Sequence, residues 1–201
     1  MDLLLYGFTF IVLAIFVVKA TIIYNKTYKG KIYKYIFTGF PEYLYKYFFK
    51  KNLSKSSWLK SELGDHYIYY NSYLNQDKQI ISSFVTIFSK KGYTSICLVQ
   101  SEGKLQNIKD NKYWYINRDG KNIRIQSPYA QIEKEKQYFS NISNGQPFEF
   151  IIACNDKLDI SDCKFKDVYG YKEAIQYILD KEDIMDKLNL DFAGDLNHEI
   201  D

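Results

Sequence analysis

Asp77, Glu102 and Lys104 satisfy a D…E-x-K pattern when spacing alone is counted. Carboxylates offer hard oxygen ligands to Mg²⁺, and a lysine beside them can steady a phosphate or an attacking water. A second pair of acids, Glu62 and Asp65, brackets Gly64 earlier in the chain. With Glu62 added, these are the residue types of metal-assisted phosphodiester hydrolysis, Mg²⁺ being the cofactor if the fold gathers them. A short motif carries that meaning only in its structural context. Sulfur and imidazole groups offer no rival site. Cys154 and Cys163 do not form a C-x-x-C pair, and neither His66 nor His198 stands at a metal-ligand spacing from any cysteine. Buried thiols and no resident metal are expected of them.

The elements that must position these groups centre on residues 79–131. Ile80 to Phe88 is rich in β-branched and aromatic residues and ends in the polar turn Ser89-Lys90-Lys91-Gly92. A run from Tyr93 to Gln100 answers it as a hairpin, and neither run contains an Asp or a Glu. Glu102-Gly103-Lys104 turns the chain, Lys112 to Ile116 predicts a third strand, and Asn117-Arg118-Asp119-Gly120 a further turn. Pro128 opens a helix expected to reach about Phe139. Phe148 to Ala153 predicts a buried strand, residues 164–168 another, and residues 171–188 an amphipathic helix. Upstream, Ser56 or Ser57 can cap a helix whose apolar face is Leu59, Leu63, Tyr67, Tyr70 and Leu74. The order is that of an α/β domain.

The chain's 201 residues suit one core plus an anchor. Leu3 to Val18 is apolar or aromatic apart from Gly7 and Thr9, and the run continues past Lys19 to Tyr24. As a helix, residues 3–24 would span about 33 Å, enough for a hydrocarbon core of ~30 Å. A signal peptide would want a basic start, whereas this run is acidic before and basic after. Ten lysines face the single acid Glu42 between Lys19 and Lys60, a net of +9 in a chain that is +3 overall. The positive-inside rule then predicts a single-pass protein of the cell membrane, N-terminus out and the domain cytoplasmic. Residues 25–55 interleave these lysines with tyrosines and phenylalanines, which suits lipid headgroups at a membrane interface. Residues 61–201 carry −5, a weak footing for nucleic acid, although Lys90, Lys91, Lys104, Lys109 and Lys112 could line a local groove. Abundant Lys, Ile, Asn and Tyr with scarce Pro fit an AT-rich, bacterial coding genome.

Five features recur in order: Glu62-Leu63-Gly64-Asp65, Ser89-Lys90-Lys91-Gly92-Tyr93, Gly103, the strand around Trp114, and Ser127-Pro128-x-x-Gln131. Over about residues 57–188 this resembles the NERD (nuclease-related) domain, a branch of the restriction-endonuclease-like PD-(D/E)xK fold. The resemblance implies a core of helix, three-stranded antiparallel meander, helix, strand, then strand and helix. It also implies a metal held by an Asp early in the first hairpin strand and a Glu-x-Lys in the second. Those positions fall here on Ser82 or Ser83, on Cys97 and on Val99. Glu102 and Lys104 would flank a hairpin tip, away from Glu62. The expected site is therefore vestigial: Glu62, Asp65, Ser83, Cys97, Val99 and Gln131, with no cofactor. The partition is an anchor (1–24), a basic aromatic flank (25–55), a nuclease-related domain (56–188) and an acidic tail (189–201). Its expected role is to bind a protein or nucleic-acid partner. The alternatives are an active Mg²⁺-dependent nuclease at the membrane, with Glu62, Asp77, Glu102 and Lys104 at work, and a structural membrane protein.

Overall fold

The computed structural model describes residues 2–74, 80–106, 112–142, 148–163 and 165–185. Asp77 and Lys109, the tail, and the end of the last expected helix lie outside them. Helix α1 (Asp2–Ile23) continues through a π-helical turn, Tyr24–Tyr28. Its stretch Leu5–Tyr28 is long and apolar enough to cross a membrane, and the most apolar eighteen residues within it are not buried against the rest of the described chain. Next come α2 (Tyr33–Ile36) and α3 (Phe40–Tyr45), the latter with Pro41 in its first turn and a π-helical extension, Lys46–Lys50. Pro41 serves there because the missing N–H is one that a first turn leaves unpaired anyway.

Helix α4 (Ser57–Leu63) starts where Ser56 Oγ accepts from the Leu59 N–H at 3.3 Å. It stops at Gly64, whose φ of +72° is a conformation few side chains tolerate. The helix expected to reach Leu74 is thus cut to two turns, and β1 (His66–Leu74) takes its second half. Tyr67 and Tyr70 are three apart, a helical spacing, but the run Tyr67-Ile68-Tyr69-Tyr70 is apolar at every position and so also suits a strand buried on both faces. Alternation decides it: Ile68 and Tyr70 join one core cluster, while Tyr67, Tyr69 and Tyr73 pack on the opposite face.

Strands β2 (Ile80–Ser89) and β3 (Gly92–Val99) form the expected hairpin, and β1 pairs antiparallel along the free edge of β2. The chain then leaves this sheet for β4 (Gly103–Leu105), β5 (Tyr113–Arg118) and β6 (Lys121–Gln126). Helix α5 (Pro128–Ile142) follows, then β7 (Phe148–Cys154), which pairs parallel to β3. The two-residue β8 (Leu158–Asp159), β9 (Val168–Gly170) and α6 (Tyr171–Asp180) complete the described elements. The main sheet runs β1-β2-β3-β7-β9 and the smaller one β6-β5-β4-β8. The Trp114 strand is consequently not the third strand of the main meander. Both edges of the β2–β3 hairpin are already occupied, by β1 and β7, so β5 pairs elsewhere. Gly103 fixes that departure: a Cβ there would lie 2.3 Å from the Asn117 carbonyl oxygen, at φ +122°.

The main sheet buries both faces. On one, Ile68, Val85, Ile87, Ile96 and Ile151 pack against Leu59 and Leu63 of α4 and Ala174, Ile175 and Ile178 of α6. The same cluster includes Tyr28, Ile32, Ile36, Phe37 and Tyr43, so part of the aromatic flank is core of the domain. Tyr24, Tyr45, Tyr47 and Phe49 remain exposed. On the other face, Phe84, Cys97, Val99 and Ile152 meet Ile132 of α5 and Leu105, Trp114 and Ile116 of the small sheet.

Candidate functional site

Where β2 begins and β3 ends, the main sheet meets the start of α5 and the last residues of β6. The junction leaves a cavity of ≈ 360 Å³ lined by Ser82, Ser83, Leu98, Val99, Gln100, Ser101, Ile125, Gln126, Pro128 and Gln131. Three of the expected residues, Ser83, Val99 and Gln131, meet here. Register resolves the serine: Phe84 faces Cys97, so Ser82 shares the α5 face with Cys97 and Val99. Ser83 alternates to the other face, where it shares a 3.2 Å hydroxyl contact with Ser72.

Cys97 lies under the cavity floor, fully buried, and donates its S–H to Gln131 Oε1 at 3.5 Å. Gln131 Nε2 in turn donates to the Gln126 carbonyl at 3.4 Å, so both ends of its amide are held. Burial pushes the Cys97 thiol well up, and the nearby Glu135 carboxylate adds to the shift. A thiol held protonated in that way is a poor metal ligand. Among the described residues, no charged side chain lines the cavity. Lys31 reaches its rim by donating to Gln100 Oε1.

Glu135 is the group that sequence reasoning missed. It stands one turn beyond Gln131, is 0% exposed, and accepts from the Tyr73 hydroxyl and from Asn71 Nδ2, the latter at 3.2 Å. Burial raises its carboxyl above the ordinary value, and the Tyr73 and Asn71 hydrogen bonds offset part of the rise. The signal was present: Ile132, Glu135 and Phe139 follow at steps of three and four on the buried stripe of α5. An acid inside such a stripe is a buried acid.

Glu62 and Asp65 are not brought to this place. Both are exposed, at the end of α4, on the face of the sheet opposite α5. His66 pairs with Ser89 while Ser72 pairs with Ser83, which sets Asp65 about 20 Å along the strands from the cavity. Glu102 stands just before β4 and Lys104 within it, both on the surface and in separate ion pairs. Glu102 binds Lys157 at 2.9 Å and Arg118 at 3.8 Å, while Lys104 binds Asp162 at 2.8 Å. A wider depression of ≈ 690 Å³ beside Lys104, Asp162 and Cys163 holds the second of these pairs. Among the described residues, no group of three or more His, Cys, Asp and Glu is placed to hold a metal ion. Lys90 and Lys91 sit at the opposite end of the β2–β3 hairpin, with Lys91 3.9 Å from Asp183, so they and Lys104 form no common patch. Comparison with protein-family models, with curated proteins and with solved structures finds no match for this chain.

Proposed function

We propose that this chain is a membrane-anchored, cytoplasm-facing domain of nuclease-related ancestry that binds a protein partner and does not hydrolyse phosphodiesters. The cavity between β2, β3 and α5 carries the reading. Val99 and Gln131, two positions at which the family resemblance expects the metal site, line it, and the polar side chains facing it among the described residues are hydroxyl and carboxamide: Ser82, Gln100, Ser101, Gln126 and Gln131. Such groups donate to and accept from a peptide backbone without a net charge. In support of the ancestry, helix α4, the antiparallel β1-β2-β3, helix α5 and the parallel β7 follow one another in the coarse order the resemblance implies, with β4–β6, the Trp114 strand among them, in a separate sheet. Anchorage rests on α1, and the orientation on the lysines that follow it.

A protein partner is preferred to nucleic acid because the lysines are dispersed and the chain beyond residue 60 is acidic. Full-length protein in detergent micelles should leave DNA uncut with Mg²⁺ or Mn²⁺. It should also show no binding to single- or double-stranded DNA across a salt series that begins at low ionic strength. A photo-crosslinking residue in place of Ser101 should give a discrete protein adduct in cells, and one in place of exposed Lys121 should not. Cleavage abolished by Glu102→Ala would restore the nuclease reading, and salt-sensitive DNA binding would replace the protein partner.

A further inference from the structure

α1 and α3 form an antiparallel hairpin. The Phe40 ring lies 5.0 Å from Tyr24 and 5.3 Å from Tyr28, while eight residues on, Phe48 lies 6.2 Å from Phe16. The contacts step backwards along α1 as they step forwards along α3 and its extension. Eight helical residues cover about 12 Å, so the segment Phe40–Lys50 climbs that distance along the anchor. Its inner side is packed: Tyr43 is buried in the domain core and stacks near Tyr28 and Phe37. Its outer side exposes Tyr45 (51%), Tyr47 (41%) and Phe49 (68%), the last among the most exposed large apolar side chains of the described residues. Lys50 and Lys51 accompany these rings, with Lys50 over the Tyr45 ring at 5.9 Å, while Lys46 between them is half-buried and pairs with Glu42 at 3.9 Å.

We propose that Phe40–Lys50 is embedded in the cytoplasmic headgroup layer of an anionic bilayer, its rings reaching the upper acyl chains and its lysines the lipid phosphates. The proposal rests on the reading of α1 as a membrane anchor. Three observations select lipid as the occupant. The exposed rings are continuous with the apolar, unburied surface of α1 through the Phe16–Phe48 contact. Aromatic rings interleaved with lysines match a layer that is apolar below and anionic above. The lysines also set a depth, because Lys50 and Lys51 stand near the level of Phe16 and must reach the headgroups. The last turns of α1, from about Val17 on, therefore lie in the interface, and the hydrocarbon is crossed by the residues before them. A span of that length suits a thin bilayer or one thinned around the protein.

The test uses full-length Cys163→Ser protein, whose remaining Cys97 and Cys154 are buried, reconstituted in vesicles of phosphatidylcholine with phosphatidylglycerol. Single nitroxide labels at Phe49→Cys, Tyr45→Cys, Leu13→Cys and Asp119→Cys are compared for collision with oxygen and with a water-soluble nickel chelate. Labels at 49 and 45 are expected to show an oxygen-to-nickel ratio several-fold above that at 119 and below that at 13. Replacing Lys50 and Lys51 by Gln should move the label at 49 toward water. Water-like values at 49 and 45 with a lipid-like value at 13 would overturn the proposal and leave the anchor standing. A water-like value at 13 would overturn both.

Discussion

Cys97→Glu puts a carboxylate where the resemblance to nuclease-related domains implies one, and the structure predicts damage without gain of a metal site. Cys97 is fully buried between its strand partners Phe84 and Ile152 and under Gln131. The larger side chain overpacks this spot, which costs about 1–3 kcal/mol. An ionised carboxylate buried there, with Glu135 as a like charge nearby, costs about 3–5 kcal/mol unless it protonates. A net loss of about 4–8 kcal/mol is a large share of the ~5–15 kcal/mol that holds a domain of this size. The assay is urea unfolding of full-length protein in detergent, at neutral and acidic pH, with and without millimolar Mg²⁺. The new carboxyl has a raised folded pKa, so its penalty should shrink as pH falls and the group protonates. Mg²⁺ should change nothing. Cys97→Val, a swap of nearly conserved volume, should cost under about 1.5 kcal/mol and so separates size from charge. Were Mg²⁺ to restore the variant, by about 2.7 kcal/mol at a hundredfold excess over its dissociation constant, the cavity would still be shaped for a metal and the reading of a vacated site would be wrong.

Gly103→Ala should cost about 3 kcal/mol, since the methyl meets the Asn117 carbonyl at a backbone angle only glycine holds comfortably, while Gly120→Ala, at φ +77° in open space, should cost about 1 kcal/mol. Equal unfolding midpoints for the two would refute the role given to Gly103. His66 is buried, accepts from the Ser56 N–H at Nε2 and contacts the Gly64 carbonyl at Nδ1, each at 3.0 Å. Burial lowers its folded pKa, outweighing the Gly64 carbonyl. The unfolded chain therefore takes up the proton first as pH drops below about 6.5, and stability present above that pH is lost on the way down. His66→Gln should flatten this part of the stability profile, and an unchanged slope would locate the sensitivity elsewhere. Deleting residues 1–53 strips Tyr28, Ile32, Ile36, Phe37 and Tyr43 from the core, at about 2 kcal/mol each, and circular dichroism should find the remainder unfolded.

What was legible beforehand was what neighbours in sequence decide. The cap at Ser56, Pro128 at the head of α5, the hairpin at Lys90-Lys91-Gly92 and the Asp119-Gly120 turn each depend on a few adjacent residues. What escaped depends on competition between distant segments. Tyr67 and Tyr70 keep a helical spacing, but the run from Tyr67 to Tyr70 is apolar throughout and suits a strand buried on both faces as well, and the open edge of β2 settles the matter. The Trp114 strand looked like a partner for β3 until β7, some thirty residues later, claimed that edge. At the cavity, Cys97, Val99 and Gln131 were placed by a resemblance in residue order, whereas Glu62 followed a helix face too short to reach them. Glu135 was visible as an acid in an apolar stripe, but its partners Asn71 and Tyr73 lay in the segment taken for helix.

The aromatic residues that seal the first face of the sheet have a consequence for how the chain comes into being. Synthesis delivers α1 and the Tyr28–Tyr43 segment first, when nothing yet exists for them to cover. Their eventual companion α6, on which α2 packs, arrives last among the described elements. The earlier segment must wait, through the making of the sheet, for α6. Contacts of such long sequence separation close slowly. A bilayer that takes up α1 at once would hold the waiting rings at an interface where they are already at ease, and so would keep the nascent protein from aggregating until the last helix docks.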